Sequence, residues 1–220
     1  MRRTSVTAVE LSQSVKICEN NGNRLLEDAE YLYGFESYAS AYGLAKLAQE
    51  EFAKGFILRL VESGALKWTK EVRRSLNHHV SKQLMAVILE FLNPDTSDFL
   101  KMVENDTLLK RPRKVSDAIN IYVHEVLRRW ESANWIWADD PEYDKEAKSI
   151  FEGKEDKEKQ NSLYVQISSD GRAIDYTANF KKENTKVEIE KAKRYGSFVG
   201  SKNDDSRFRE IVEIIKLIKK

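Results

Sequence analysis

Cysteine is nearly absent from the sequence: Cys18 stands alone, so an intrachain disulfide framework is excluded and a reducing compartment is expected. We interpret Cys18 as a packing residue. Proline and glycine are also scarce, at 3 and 9 of 220 residues, so few positions can break a helix. A chain of this length can bury a core without disulfide or metal staples. The sequence therefore predicts a protein of long helices.

The sequence also lacks a large net charge and a long apolar run. Its 37 Lys and Arg residues balance 36 Asp and Glu residues to +1, so any role with RNA must rest on a local site. The most apolar stretch, residues 84–92, is interrupted by Glu90 and is far shorter than the ~20 residues that span a bilayer. The N-terminus has no signal-peptide core. We expect a cytoplasmic protein with no membrane partner.

Apolar residues recur at helical spacing along most of the chain and predict an all-α bundle. The predicted helices cover about residues 6–35, 36–63, 69–92, 95–104, 116–138, 182–196 and 205–219. The first helix is open to a kink at NNGN, residues 20–23, and the third begins at a Thr69 N-cap. We predict that residues 1–142 form the bundle. Residues 143–220 are expected to add a charged helix, a β-hairpin and C-terminal helices that pack on it.

The character of the chain changes after residue 143. Residues 144–160 are charge-dense and nearly all polar, which favours a solvated helix or a mobile connection. The stretch SLYVQISSDGRAID, residues 162–175, alternates apolar and polar side chains on both sides of Asp170 and Gly171. An Asp-Gly pair between such runs is the turn chemistry of a hairpin, so a small β-hairpin is predicted in the C-terminal third of the chain.

The second helix carries acidic side chains in an apolar setting. In LAKLAQEEFAKGFIL, residues 44–58, a wheel of 100° per residue puts Glu51 inside the apolar arc. Glu50 and Lys54 fall outside the arc or at its rim, in the order that suits a solvated salt bridge. A carboxylate that faces other helices costs roughly several kcal/mol unless it is paired. Glu51 is therefore expected to find a cationic partner.

The third helix offers such partners. The stretch RRSLNHHVSK has five cationic or titratable side chains: Arg73, Arg74, His78, His79 and Lys82. On one regular helix Arg74, His78 and Lys82 share a stripe, while His79 turns toward the edge of the apolar face. Such groups could keep Glu51 ionised and shift a histidine toward neutral pH. The alternative is a structural ion-pair cluster that holds two helices in register.

Three stretches resemble a known family in their order and spacing. They are SYASAYGLAKLAQEEFAKG at 37–55, HVSK at 79–82 and NSLYVQISSDG at 161–171, and LLEDA at 25–29 adds to them. They resemble the AbiV family of bacterial abortive-infection proteins, within the HEPN superfamily, over roughly residues 10–175. The resemblance implies a HEPN-like helical bundle that dimerises and acts in defence against phage. It also implies a possible metal-independent endoribonuclease, because many HEPN domains cleave RNA with an Arg-x(4–6)-His motif.

The Arg-x(4–6)-His pattern occurs in three registers here. Four residues separate Arg74 from His79 and Arg73 from His78, and five separate Arg73 from His79. The chemistry needs a histidine to move a proton at the 2′-hydroxyl or the leaving oxygen, and a guanidinium to hold the phosphate. His79 is favoured over His78 because it belongs to the His-x-x-Lys spacing with Lys82.

The resemblance thus implies RNA cleavage with His79 as general acid and base and Arg74 on the phosphate, while Glu51 and Lys54 orient the site. A twofold interface would bring two copies of the motif together in a homodimer. A phage protein trigger or an antitoxin is a further expected partner, and no cofactor is expected. The competing hypothesis is a non-catalytic binding module with the same bundle, which sequesters a phage or host protein.

Two other candidate sites are weaker. A metal site from His78, His79, Glu51 and His124 is disfavoured because adjacent histidines point about 100° apart on a helix. The basic stretch KRPRK, residues 110–114, either contacts RNA phosphates or is a solvated loop.

Overall fold

The computed structural model describes residues 6–105, 110–128, 143–201 and 206–218. Within these ranges the chain forms ten α-helices and one two-stranded sheet: α1 (Ala8–Gly34), α2 (Tyr38–Glu62), α3 (Lys70–Ser75), α4 (His79–Leu92), α5 (Thr96–Glu104), α6 (Arg113–Asn120), α7 (Lys145–Phe151), α8 (Lys154–Leu163), β1 (Gln166–Ile167), β2 (Ala173–Ile174), α9 (Lys182–Gly200) and α10 (Ser206–Ile218). The predicted all-α fold with a small hairpin is confirmed. None of the helices in these ranges is both long enough and apolar enough to span a bilayer.

Helix α2 is the centre of the bundle. Helices α1, α4, α8 and α9 pack around it, so its buried residues point in every direction. The buried set includes the polar side chains of Gln49, Glu50 and Arg59. A helix surrounded in this way has no solvated face, and the prediction of a single buried side is therefore wrong for α2.

Helix α1 runs without a break through the predicted soft spot at NNGN. Gly22 in this stretch faces the ring of Phe52 on α2, and a Cβ at Gly22 would lie 2.5 Å from that ring. Gly196 on α9 approaches the same ring, where a Cβ would lie 2.7 Å away. The two glycines let α1 and α9 close on α2 around a fully buried phenylalanine.

The predicted third helix is two helices. Thr69 caps the first of them, α3, as expected, since its side chain accepts a hydrogen bond from the Val72 amide. Helix α3 ends at Ser75, whose hydroxyl is bonded both to the Val72 carbonyl and, at 2.9 Å, to the hydroxyl of Tyr122. Tyr122 lies on a π-helical stretch, Ile121–Arg128, that continues α6. This anchor, followed by a turn at residues 76–78, redirects the chain before α4 begins.

The charged segment after residue 143 is helical and partly buried. It forms α7 and α8, and α8 packs against α2 and α4 with Lys159 and Ser162 buried. Leu163, expected in the hairpin, ends α8. Strands β1 and β2 pair antiparallel, with Gln166 opposite Ile174. The part of the predicted helix 116–138 beyond residue 128 lies outside the described residues.

The main hydrophobic core joins the first four helices to the last two. Helix α9 contributes Ile189, Ala192, Tyr195, Phe198 and Val199, and α10 contributes Phe208, Ile211, Val212 and Ile215. A smaller cluster of Leu11, Cys18 and Leu58 lies between α1 and α2. Cys18 is thus a packing residue, as predicted.

Candidate functional site

Glu50 on α2 is the centre of a buried ion-pair cluster. Its Oε2 lies 2.8 Å from Nδ1 of His79 and 2.6 Å from Nζ of Lys82, and its Oε1 lies 2.5 Å from Nζ of Lys159. The side chains of Glu50, Lys82 and Lys159 are at most 8% exposed. Burial alone would raise the pKa of Glu50, but the two ammonium groups hold that pKa below its ordinary value. Glu50 is therefore an ionised carboxylate inside the bundle.

His79 is the solvent-facing member of this cluster. Its side chain is 49% exposed at the start of α4, next to the 6% exposed side chain of Glu50. An ionised carboxylate can only accept, so the short contact to Glu50 is favourable when Nδ1 carries the hydrogen. Among the described residues Nε2 has no hydrogen-bond partner. The imidazole is thus held on its inner nitrogen and open on its outer one.

Helix α8 adds two residues that the sequence analysis missed. Nζ of Lys159 lies 2.7 Å from Oδ1 of Asp156 and 3.0 Å from Nδ1 of His79. Burial would raise the pKa of Asp156, but the hydrogen bond and charge of Lys159 lower it below its ordinary value. No sequence signal separates Lys159 from the other lysines of residues 144–160. Only the docking of α8 on α2 reveals it.

Glu51 and Lys54 do not belong to the cluster. The two side chains pair with each other at 2.5 Å, and the charge of Glu51 acts on the Cys18 thiol of α1. One residue along a helix is a turn of 100°, so Glu51 faces α1 while Glu50 faces α4 and α8. The expectation that Glu51 pairs with the basic residues of the third helix is wrong, and the buried carboxylate is Glu50. The predicted surface pair of Glu50 with Lys54 is wrong for the same reason.

The break between α3 and α4 divides the predicted stripe. Arg73 and Arg74 lie exposed in the last turn of α3, outside the buried cluster, whereas Lys82 is buried within it. His78 precedes α4 in an extended conformation, with Nδ1 3.4 Å from the hydroxyl of Ser81. Desolvation lowers the pKa of His78, and the neighbouring His79 and Lys82 lower it further. His78 is therefore neutral at physiological pH.

A cavity of about 120 Å³ lies on the inner side of the cluster. Glu50, Lys82 and Lys159 form part of its wall, and Lys46 and Glu188 extend the wall away from His79. The ammonium of Lys46 lies 3.1 Å from the carboxylate of Glu188, and both side chains are largely buried. The polar interior is thus built of paired charges, and His79 is the point where the cluster meets solvent.

The structure does not support the two weaker candidate sites, the basic stretch KRPRK and the metal site. In KRPRK, Arg111 pairs with Glu210 at 2.7 Å, Arg113 with Asp117 at 3.4 Å and Lys114 with Glu146 at 3.3 Å, so its positive charge is largely neutralised. The proposed metal ligands are not brought together: Glu51 faces α1, and Nδ1 of His124 lies 3.1 Å from Arg128 on the π-helical stretch.

The family model HEPN_AbiV, described as AbiV, matches residues 10–197. The chain belongs to the AbiV family. The match runs from α1 through most of α9 and includes every residue of the ion-pair cluster. Neither the curated proteins nor the solved structures contain a significant match.

AbiV membership points to abortive-infection defence and agrees with the all-helical architecture. Two of the motifs that resemble the family supply the cluster directly. The Glu-Glu-x-x-Lys-Gly stretch contributes Glu50, and the His-x-x-Lys stretch contributes His79 and Lys82. In this AbiV protein the two motifs are joined through a single carboxylate.

Proposed function

We propose that this AbiV-family protein acts in phage defence as a metal-independent endoribonuclease, with His79 as the group that moves the proton. One observation carries the proposal: His79 is fixed through Nδ1 by the buried carboxylate of Glu50 and leaves Nε2 open at the surface. A carboxylate behind a histidine fixes its tautomer and stabilises the imidazolium that forms when it accepts a proton.

The reaction follows from that geometry. Nε2 of His79 removes the proton from a ribose 2′-hydroxyl, and the 2′-oxygen attacks the adjacent phosphorus. The bond from phosphorus to the 5′-oxygen breaks, and that oxygen takes a proton from an imidazolium or from water. The products are a 2′,3′-cyclic phosphate and a 5′-hydroxyl, so the step needs neither an added oxidant nor a cofactor. A guanidinium beside the phosphate would stabilise the charge that grows on its oxygens.

The segment that precedes His79 in the chain suits an RNA backbone. Residues 67–74 carry four exposed cations, Lys67, Lys70, Arg73 and Arg74, against the single acid Glu71. Because the net charge of the whole chain is only +1, RNA binding needs a local concentration of positive charge, and this segment provides one. We assign Arg74 to the phosphate because four residues separate it from His79, as the Arg-x(4–6)-His motif requires. Pairing of two copies around this segment would double the site.

The test is expression in cells of the wild type and of Arg74→Ala, His78→Ala and His79→Ala, with total RNA run on a gel. Circular dichroism checks the fold of each variant. We expect fragmented RNA and growth arrest with the wild type and His78→Ala, weaker effects with Arg74→Ala, and none with His79→Ala. Arg24→Ala is the matched control, because Arg24 is an exposed arginine on α1 paired with Asp28. Identical behaviour of all folded variants contradicts the proposal.

A second candidate is the non-catalytic binding module. The observation that favours it is the hairpin surface, where Tyr164 is 64%, Val165 57% and Ile167 67% exposed. Apolar side chains exposed side by side are typical of a protein-docking surface. In that case Tyr164→Ser with Ile167→Ser removes protection against phage, while His79→Ala leaves it intact.

A further inference from the structure

Three residues of the cluster have the composition of a metal site. One ligand atom each from Glu50, His79 and Asp156 lie within 4.8 Å of one another, in the part of the chain that the structure describes. A nitrogen and two carboxylate oxygens at this separation are a donor set that Zn²⁺ and similar cations accept. By composition and spacing alone, these three side chains would suit a divalent cation.

The centre of this donor set is already taken by the chain itself. The Nζ atom of Lys159 lies 2.5 Å from Oε1 of Glu50, 2.7 Å from Oδ1 of Asp156 and 3.0 Å from Nδ1 of His79. It contacts one atom of each residue that would bind a metal. The Lys159 side chain is only 6% exposed, so its ammonium group is enclosed by protein and not by water.

Charge balance favours the ammonium over a metal. Two carboxylates, Glu50 and Asp156, face two ammonium groups, since Lys82 also lies 2.6 Å from Glu50. The charges of these four side chains sum to zero, and a divalent ion added to them would leave a buried excess of positive charge. Such an excess is costly away from water. Removal of Lys159 alone would leave a net negative site with three donors around an open position.

We propose that Lys159 is the built-in cation of this site: it fills the position of a metal ion among Glu50, Asp156 and His79, and it positions His79 through Glu50, whose other oxygen accepts the hydrogen of Nδ1. The cation assignment stands by itself, and its consequence for RNA cleavage rests on the proposed function. Metal-to-ligand distances of about 2.0–2.2 Å are shorter than the contacts of the ammonium, so the donors would close slightly on a metal in its place.

The test is titration of metal-free protein with Co²⁺, followed by its visible absorption, with Zn²⁺ as competitor. The variants are Lys159→Ala, the double variant Lys159→Ala with His79→Ala, and the control Lys157→Ala, which removes an exposed lysine from the same helix. We expect the wild type and the control to show no site. Lys159→Ala should bind one Co²⁺ at least about tenfold more tightly, a gain of about 1.4 kcal/mol. The double variant should lose that gain.

Two results overturn the proposal: a wild type that binds Co²⁺ as tightly as Lys159→Ala, or a folded Lys159→Ala variant without any gain. If Lys159→Ala fails to fold, Lys159→Ser replaces it. NMR of the His79 ring in the wild type is a test that needs no variant. Added Co²⁺ should leave the resonances of the ring in place, and a paramagnetic shift at His79 contradicts the assignment of Lys159 as the built-in cation.

The positioning role has its own readout. Lys159→Met keeps the length of the side chain and removes the charge, so it should lower kcat for RNA cleavage and leave KM nearly unchanged. Lys157→Met should change neither. An unchanged kcat in folded Lys159→Met contradicts the positioning role. If the protein proves not to cleave RNA, the proposed function fails, and the cobalt titration still decides whether Lys159 is the built-in cation.

Discussion

The carboxylate of Glu50 lies 2.8 Å from Nδ1 of His79 and so connects a helix buried on every side to a ring half in solvent. This contact explains why two adjacent glutamates stand in an apolar helix. Glu50 faces α4 and α8 and collects three cationic or proton-donating partners, whereas Glu51 faces α1 and pairs with Lys54. The two residues therefore differ in their roles despite their identical chemistry.

Replacement of Glu50 by Gln should destabilise the protein far more than replacement of Glu51. Glu50→Gln leaves the buried ammonium groups of Lys82 and Lys159 without their shared counter-charge, a loss of about 3 kcal/mol in the free energy of unfolding. Glu51→Gln weakens one partly exposed pair and should cost less than about 1 kcal/mol. Urea denaturation of both variants measures the difference. Equal losses of stability in the two variants would mean that Glu50 is not the shared counter-charge of Lys82 and Lys159.

The contribution of Glu50 should also depend on pH in a defined direction. Its pKa is lower in the folded protein than its ordinary value of 4.5, despite its burial, because of Lys82 and Lys159. A depressed acid pKa stabilises the fold above the ordinary value, and that stability is lost as the pH falls through the folded-state value. The gap in stability between wild type and Glu50→Gln should therefore be constant above about pH 6 and narrow below about pH 4.5.

Urea denaturation between acid and neutral pH measures this gap. Asp156 also has a lowered pKa, but it is present in both proteins and largely cancels in the difference. If the difference in stability stays constant down to the lowest pH measured, Lys82 and Lys159 do not lower the pKa of Glu50.

The sequence predicted the architecture better than the site. Helical periodicity and the Asp170-Gly171 turn were enough for an all-α bundle with a small hairpin. A wheel of α2 assumes one solvated face, and α2 has none, so the wheel chose Glu51 over Glu50. The break after Ser75 depends on a hydrogen bond to Tyr122, 47 residues later in the chain. Local helix propensity cannot predict a contact over that separation. Lys159 was hidden in a segment whose composition resembles a solvated helix, because pairing rather than apolar character buries it.

Gly22 should be required for close packing rather than for flexibility. A Cβ at Gly22 meets the fully buried Phe52 ring at 2.5 Å. Overpacking of this kind costs about 1–3 kcal/mol, which exceeds the gain of about 0.5–1 kcal/mol from a better helix former. Gly22→Ala should therefore lower the melting temperature. Gly34→Ala on the same helix is the control, since nothing lies within 4 Å of its Cβ, and it should be neutral or slightly stabilising.

Cys18 should be chemically inert in the folded protein. Burial, together with the charge of Glu51, raises the pKa of its thiol to about 11, so almost no thiolate exists at pH 8. Iodoacetamide at pH 8 should leave the native protein unmodified and alkylate it in urea, as intact mass measures. Rapid alkylation of the native protein would contradict the buried position.

The role of His79 in metal-independent RNA cleavage is tested with a 5′-labelled single-stranded RNA and purified protein in the presence of EDTA. The reaction is compared between the wild type, His78→Ala and His79→Ala, all checked for folding. We expect fragments that end in a 2′,3′-cyclic phosphate with the wild type and with His78→Ala, and none with His79→Ala. Cleavage by folded His79→Ala at the wild-type rate, or intact RNA with every protein, would contradict the proposed role of His79.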